Sequence, residues 1–125
     1  MRHLPTIRIK IIPHNEQRYD TAGDYWQTKR GNWEVRISEM IPERELAVIL
    51  HELYEMVATK LDEVDWKDID YFDKEGEGKD MADPGASRKA PYHKQHMDAT
   101  KIEKQVIKNF KMDWQTYDNS FEQLK

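Results

Sequence analysis

Residues 45–60 read ELAVILHELYEMVATK, and this stretch decides how the rest of the chain is read. Leu46, Ile49, Leu50, Leu53, Met56 and Val57 recur at the three- and four-residue intervals of one helix face. Pro42 suits the first helical position, and Glu43 and Glu45 suit the positive end of the helix dipole. The spacing predicts a helix over 42–61. Within it, HELYE sets two potential metal ligands, His51 and Glu55, four residues apart. That interval is one helical turn, so both side chains leave the same side, close enough to hold one ion. Glu52 follows the first ligand directly. At roughly 100° per residue, His51 and Glu55 point away from the apolar stripe. A polar side opposite the core is what any surface helix shows. Ala47, Val48 and Ala58 border the pair, however, so that side is not uniformly solvated. A site here needs a third ligand from elsewhere.

Upstream, Ile7, Ile9 and Ile11 alternate with Arg8 and Lys10 over residues 6–12, the pattern of a half-buried strand ended by Pro13. Residues 15–24 are polar and turn-like. Residues 25–28 (YWQT) and 33–38 (WEVRIS) read as two strands joined by the tight connection KRGN, a hairpin. The first forty residues are thus expected to form a small, mainly antiparallel three-stranded sheet. Downstream, Asp65 resembles an N-cap for a short helix with Trp66, Ile69 and Phe72 on one side. Asp70 and Asp73 on that helix read as solvated charge or as outer partners of a site. Residues 74–90 (KEGEGKDMADPGASRKA) lack periodicity, a loop long enough to be a lid, a substrate loop or disordered. A second main helix is expected over 91–110. Its stripe of Tyr92, Ala99, Val106 and Phe110 contains His96 and Glu103, with His93 on the shoulder. A buried carboxylate without a partner costs several kcal/mol, so Glu103 needs a hydrogen bond or a metal-linked task. Trp114, Tyr117, Phe121 and Leu124 recur at helical spacing and predict a short amphipathic helix packed on the core.

Composition narrows the function classes. A length of 125 residues suits one domain with a modest core. There is no cysteine, which excludes disulfides, thiolate zinc sites and cysteine nucleophiles, so a metal must bind through His, Asp or Glu. The net charge of −4 and the lack of a Lys/Arg run do not favour nucleic acid as partner. No segment has the length of a membrane span or the form of a signal peptide, and a cytoplasmic setting is expected.

Strands, then a helix bearing His51-Glu52 and Glu55, then a later segment with another ligand: this order resembles the minimal zincin metallopeptidases. The family's second helix ligand is a histidine, where this chain has Glu55, and carboxylate oxygen also ligates zinc. The resemblance implies an α+β fold and one Zn²⁺ held by His51, Glu55 and His96. It implies Glu52 as general base, and Trp33 to Ser38 as the sheet edge that receives an extended peptide or protein substrate. His93 and Glu103 are further candidates for ligation or for orienting a ligand, and the spacing leaves the choice of His93 or His96 open. Tyr54 and Tyr92 are candidate oxyanion donors. The pattern HELYE, VDWKDIDYFD and APYHKQHMDATKIE also looks like a group of small phage and prophage proteins without an assigned activity, which implies a host-cell cytoplasm. Two other readings stand beside the hydrolase. One is a non-catalytic accessory protein that keeps the frame and binds a host protein. The other is a Mg²⁺-dependent nucleotide hydrolase using the Glu52/Glu55 pair, which a helical first forty residues would favour.

Overall fold

In a computed structural model, residues 6–124 are described. Residues 1–5 and Lys125 lie outside them. The fold is α+β: strands β1 (Ile7–Ile12), β2 (Gly23–Gln27) and β3 (Trp33–Ser38), then helices α1 (Pro42–Leu61), α2 (Trp66–Lys74), α3 (His93–Asn109) and α4 (Trp114–Ser120). The sheet is mixed, not mainly antiparallel. Its order is β1-β3-β2, with β3 antiparallel to β2 and parallel to β1. The hairpin forces the first pairing, closed by Thr28 N donating to Asn32 O at 2.7 Å. The second follows from segment 13–22, which carries the chain over the end of β3 and not into a neighbouring strand. Trp33, Val35 and Ile37 of β3 are buried, as are Glu34 and Ser38 on its other face. Such two-sided burial suits the centre of a sheet. β3 therefore has no free edge, and the substrate-edge role expected of Trp33 to Ser38 does not fit it.

Pro42 opens α1 after Ile41, and Glu45 reaches back to accept from Met40 N at 3.0 Å. α1 packs on α3 and on the sheet through β3 and β2. Asp65 caps α2 by accepting from Lys67 N, and Asp113 caps α4 by accepting from Thr116 N. The 74–90 connection is a succession of hydrogen-bonded turns, with a 3-10 turn at Pro84–Ala86. The tail packs on the core as its spacing predicts, with Tyr117 fully buried. No helix among the described residues is long and apolar enough to cross a membrane.

Candidate metal centre

The polar side of α1 proves to be its most buried side. His51, Glu52 and Glu55 are 7%, 9% and 4% exposed, whereas Leu46 in the apolar stripe is 39% exposed. The stripe packs only part of its surface, and the ionisable residues turn into the seam with α3. Small residues make that seam possible: Ala47 of α1 and Ala99 of α3 are both fully buried. Across it Glu55 meets His96, His51 meets Glu103, and Gln95 donates to Asp62 at 2.8 Å. The pairs run in opposite chain order, so the two helices are antiparallel. The four-residue interval on α1 and the seven-residue interval on α3 then bring four ionisable side chains into contact.

Three donor atoms converge. His51 Nε2 lies 3.0 Å from Glu55 Oε2, His96 Nδ1 lies 2.9 Å from the same oxygen, and the two ring nitrogens are 3.2 Å apart. A tetrahedral zinc with ligands at ~2.0–2.2 Å spaces its donors roughly 3.3–3.6 Å apart. The observed triangle is a few tenths of an ångström tighter, so two imidazoles and one carboxylate fit such an ion with a slight outward movement. His51, Glu55 and His96 are the group among the described residues whose donors come close enough to hold a metal.

Each of these residues has an outer partner. His51 Nδ1 lies 2.7 Å from Glu103 Oε1, off the line of a straight hydrogen bond, and Tyr117 OH donates to Glu103 Oε2. His96 Nε2 lies 3.0 Å from Asp83 Oδ1. Tyr25 OH donates to Glu55 Oε1 at 3.0 Å. A carboxylate behind each imidazole is the arrangement that fixes ring orientation and raises basicity in metal sites. Burial pulls the His51 imidazole down, but the carboxylates of Glu103 and Glu55 outweigh it and raise it to about 11. Burial opposes protonation of His96 too, and Asp83 and Glu55 lift it to about 9. Burial pushes Glu55 up, yet contacts with both imidazoles hold it down at about 2.

Glu52 differs. No donor among the described residues reaches its carboxylate, which rests against Gly23 of β2; a β-carbon there would overlap it. Burial, reinforced by the charge of Glu55, raises its proton affinity well above the ordinary carboxylate value. A cleft of about 940 Å³ opens over the site and is lined by Glu52, Glu55, His51, His96 and Glu103. Gly23, Asp24 and Tyr25 of β2 form part of its wall. Ala22 and Thr28 bond across to Ser38 and Asn32, so strand alternation turns the backbone groups of Gly23, Tyr25 and Gln27 away from β3.

His93 stands apart from the cluster, with Nδ1 3.0 Å from Gly85 O. Glu103 meets His51 and not His96. Tyr54 is 39% exposed and outside the cleft, whereas Tyr92 lines it and donates to Asp73 at 2.7 Å. Asp73 is no solvated charge, since Tyr19 OH also donates to it, and Asp70 pairs with Arg18 at 3.0 Å. The sequence reading missed Tyr25, Tyr117 and Asp83 as partners. Only Tyr117 carried a signal, a tyrosine on a stripe expected to be buried, whose hydroxyl needs a partner. It also missed Gly85, which lies against the His96 ring where a β-carbon would overlap the imidazole. Gly85→Ala is expected to destabilise the fold by about 1–3 kcal/mol through overpacking, read from the urea midpoint. An unchanged midpoint would mean that the 84–86 turn yields freely. No protein-family model, curated protein or solved structure matches this chain.

Proposed function

We propose that this chain is a zincin-like, metal-dependent hydrolase of peptide or other amide bonds, holding one Zn²⁺ through His51, Glu55 and His96. The convergence of His51 Nε2, Glu55 Oε2 and His96 Nδ1 within 3.2 Å carries the reading. Zinc held there would supply Lewis acidity and acidify water toward neutral pH. Glu52 takes and returns the proton, and burial raises its proton affinity, the direction that a general base acting at neutral pH needs. Glu103 and Asp83 keep the two imidazoles oriented, and Tyr25 does the same for Glu55. An extended substrate lies along β2, whose outward backbone groups border the cleft, and not along β3.

A second reading has its own observation. With both imidazoles protonated, each ring nitrogen still has a carboxylate within 3.0 Å, so a metal-free, non-catalytic domain that binds a host protein satisfies the same contacts. The magnesium-dependent nucleotide hydrolase has no such support, since the first forty residues hold strands. Metal analysis by inductively coupled plasma mass spectrometry on untagged protein separates the first two. The hydrolase requires about one zinc per chain, together with cleavage in a screen of fluorogenic peptides and amides. No zinc, and none taken up on addition, rejects it.

A further inference from the structure

We propose that the cleft selects positively charged peptides, carrying lysine or arginine side chains, an assignment that rests on the hydrolase reading. The cleft walls are rich in carboxylates, and many are already matched. Asp24 and Asp70 share Arg18. Glu55, Glu103 and Asp83 face the two imidazoles. Glu52, Asp73, Asp80 and Asp118 line the same cleft and form no ion pair among the described residues. The lysines among the described lining residues do not balance these four, because Lys74 already faces Asp70 at 3.9 Å and Lys79 alone is left.

Two of the four are more than surface charge. Glu52 is 9% exposed, lines the cleft and receives no hydrogen bond from any described residue, so it gains free energy when a cation or donor arrives. Asp73 is pinned by the hydroxyls of Tyr92 and Tyr19 at 2.7 and 3.3 Å, which fix its direction without cancelling its charge. Asp80 and Asp118 come from different elements of the lining, the loop after α2 and helix α4. Several carboxylates contributed by separate elements suit several cations along one extended chain better than a single small amine. Like charges on the substrate would meet uncompensated repulsion there, and this discriminates against acidic peptides.

The test is direct binding, independent of turnover. Dye-labelled, blocked eight-residue peptides of alternating Ala/Lys, Ala/Gln and Ala/Glu are titrated with the full chain by fluorescence anisotropy, and the zinc content of each sample is measured. The Lys peptide is expected to bind about tenfold more tightly than the Gln peptide, with no detectable Glu binding, and to weaken as salt rises. Asp73→Asn with Asp80→Asn should lose about tenfold, whereas Glu63→Gln with Asp68→Asn, the same charge change outside the cleft, should lose less than twofold. Asp80→Asn alone, on an exposed loop residue, serves if the pair misfolds. Equal binding of the three peptides, or equal losses in both pairs, overturns the assignment, and zinc present in those samples leaves the hydrolase standing. Lys preference in a protein that takes up no zinc overturns the hydrolase and supports the cleft as a cation-selective binding surface.

Discussion

Glu52→Gln is expected to lower the hydrolytic rate by about 10²–10⁴-fold, the range that a positioned acid–base group contributes, while zinc stays at one per chain. The substitution removes the proton acceptor and keeps the shape. Glu52 is not among the three converging atoms, so its loss leaves the donor set whole. Nor does it break a hydrogen bond, because no described residue donates to it. The variant should melt at the same temperature as the parent or higher, since an amide relieves both the burial of an unpaired carboxylate and its repulsion with Glu55. Rates, zinc content and a thermal melt on one preparation distinguish the outcomes. Retained turnover would show that Glu52 is not the base. Zinc lost together with turnover would make it a ligand.

The elements of the fold were legible because their signals are local. Pro42 with two acids behind it marks the start of α1, and Asp65 and Asp113 stand where caps of α2 and α4 were needed. The hairpin of β2 and β3 follows from a short polar connection between two aromatic-rich segments. The pairing of β1 did not follow, because nothing in residues 7–12 records which strand lies beside them. Nor did apolar content decide it: Ile7, Ile9 and Ile11 are as apolar as Trp33, Val35 and Ile37 beside them, yet the β3 set takes the buried centre. Ile9 and Ile11, at 42% and 40% exposed, belong to an outer strand.

The site was legible in part for a different reason. Intervals of four on α1 and seven on α3 fix which side chains share a face, and this brought out His51, Glu55, His96 and Glu103. Whether that face of α1 meets solvent or a neighbour was not decided by its own residues. Counting apolar residues marks Leu46 and Ile49 as the core side, but helix α3 brings its own His and Glu and covers the opposite side. A polar face becomes a buried one when its neighbour is polar in the complementary places, and a single helix cannot reveal that. The partners on other elements, Tyr25 and Asp83, depend on chain trajectory and leave no periodic trace.

Replacing either imidazole tests the centre itself. His51→Ala and His96→Ala are each expected to abolish zinc retention, since two donors remain. Glu103→Gln and Tyr117→Phe, which act through His51, should weaken zinc by about 10–100-fold, the usual cost of a lost outer partner. Proton release provides a second readout. Both imidazoles are held charged at neutral pH in the metal-free protein, at about 11 and about 9, and a ligating histidine must be neutral. Zinc binding near pH 7 should therefore displace about two protons, measurable by calorimetry in buffers of different ionisation enthalpy. The pH dependence of stability then has opposite signs in the two states. A raised imidazole pKa contributes stability that is complete below its unfolded value of ~6.5 and is lost as pH rises through about 9 and about 11. The metal-free protein should thus melt at falling temperature from pH 7 to 10. With zinc in excess the trend reverses, because fewer protons compete for the donors and binding stabilises only the folded chain. Identical pH trends with and without zinc would place the metal elsewhere or nowhere, and the seam of α1 and α3 would then be a proton-shared ion-pair network.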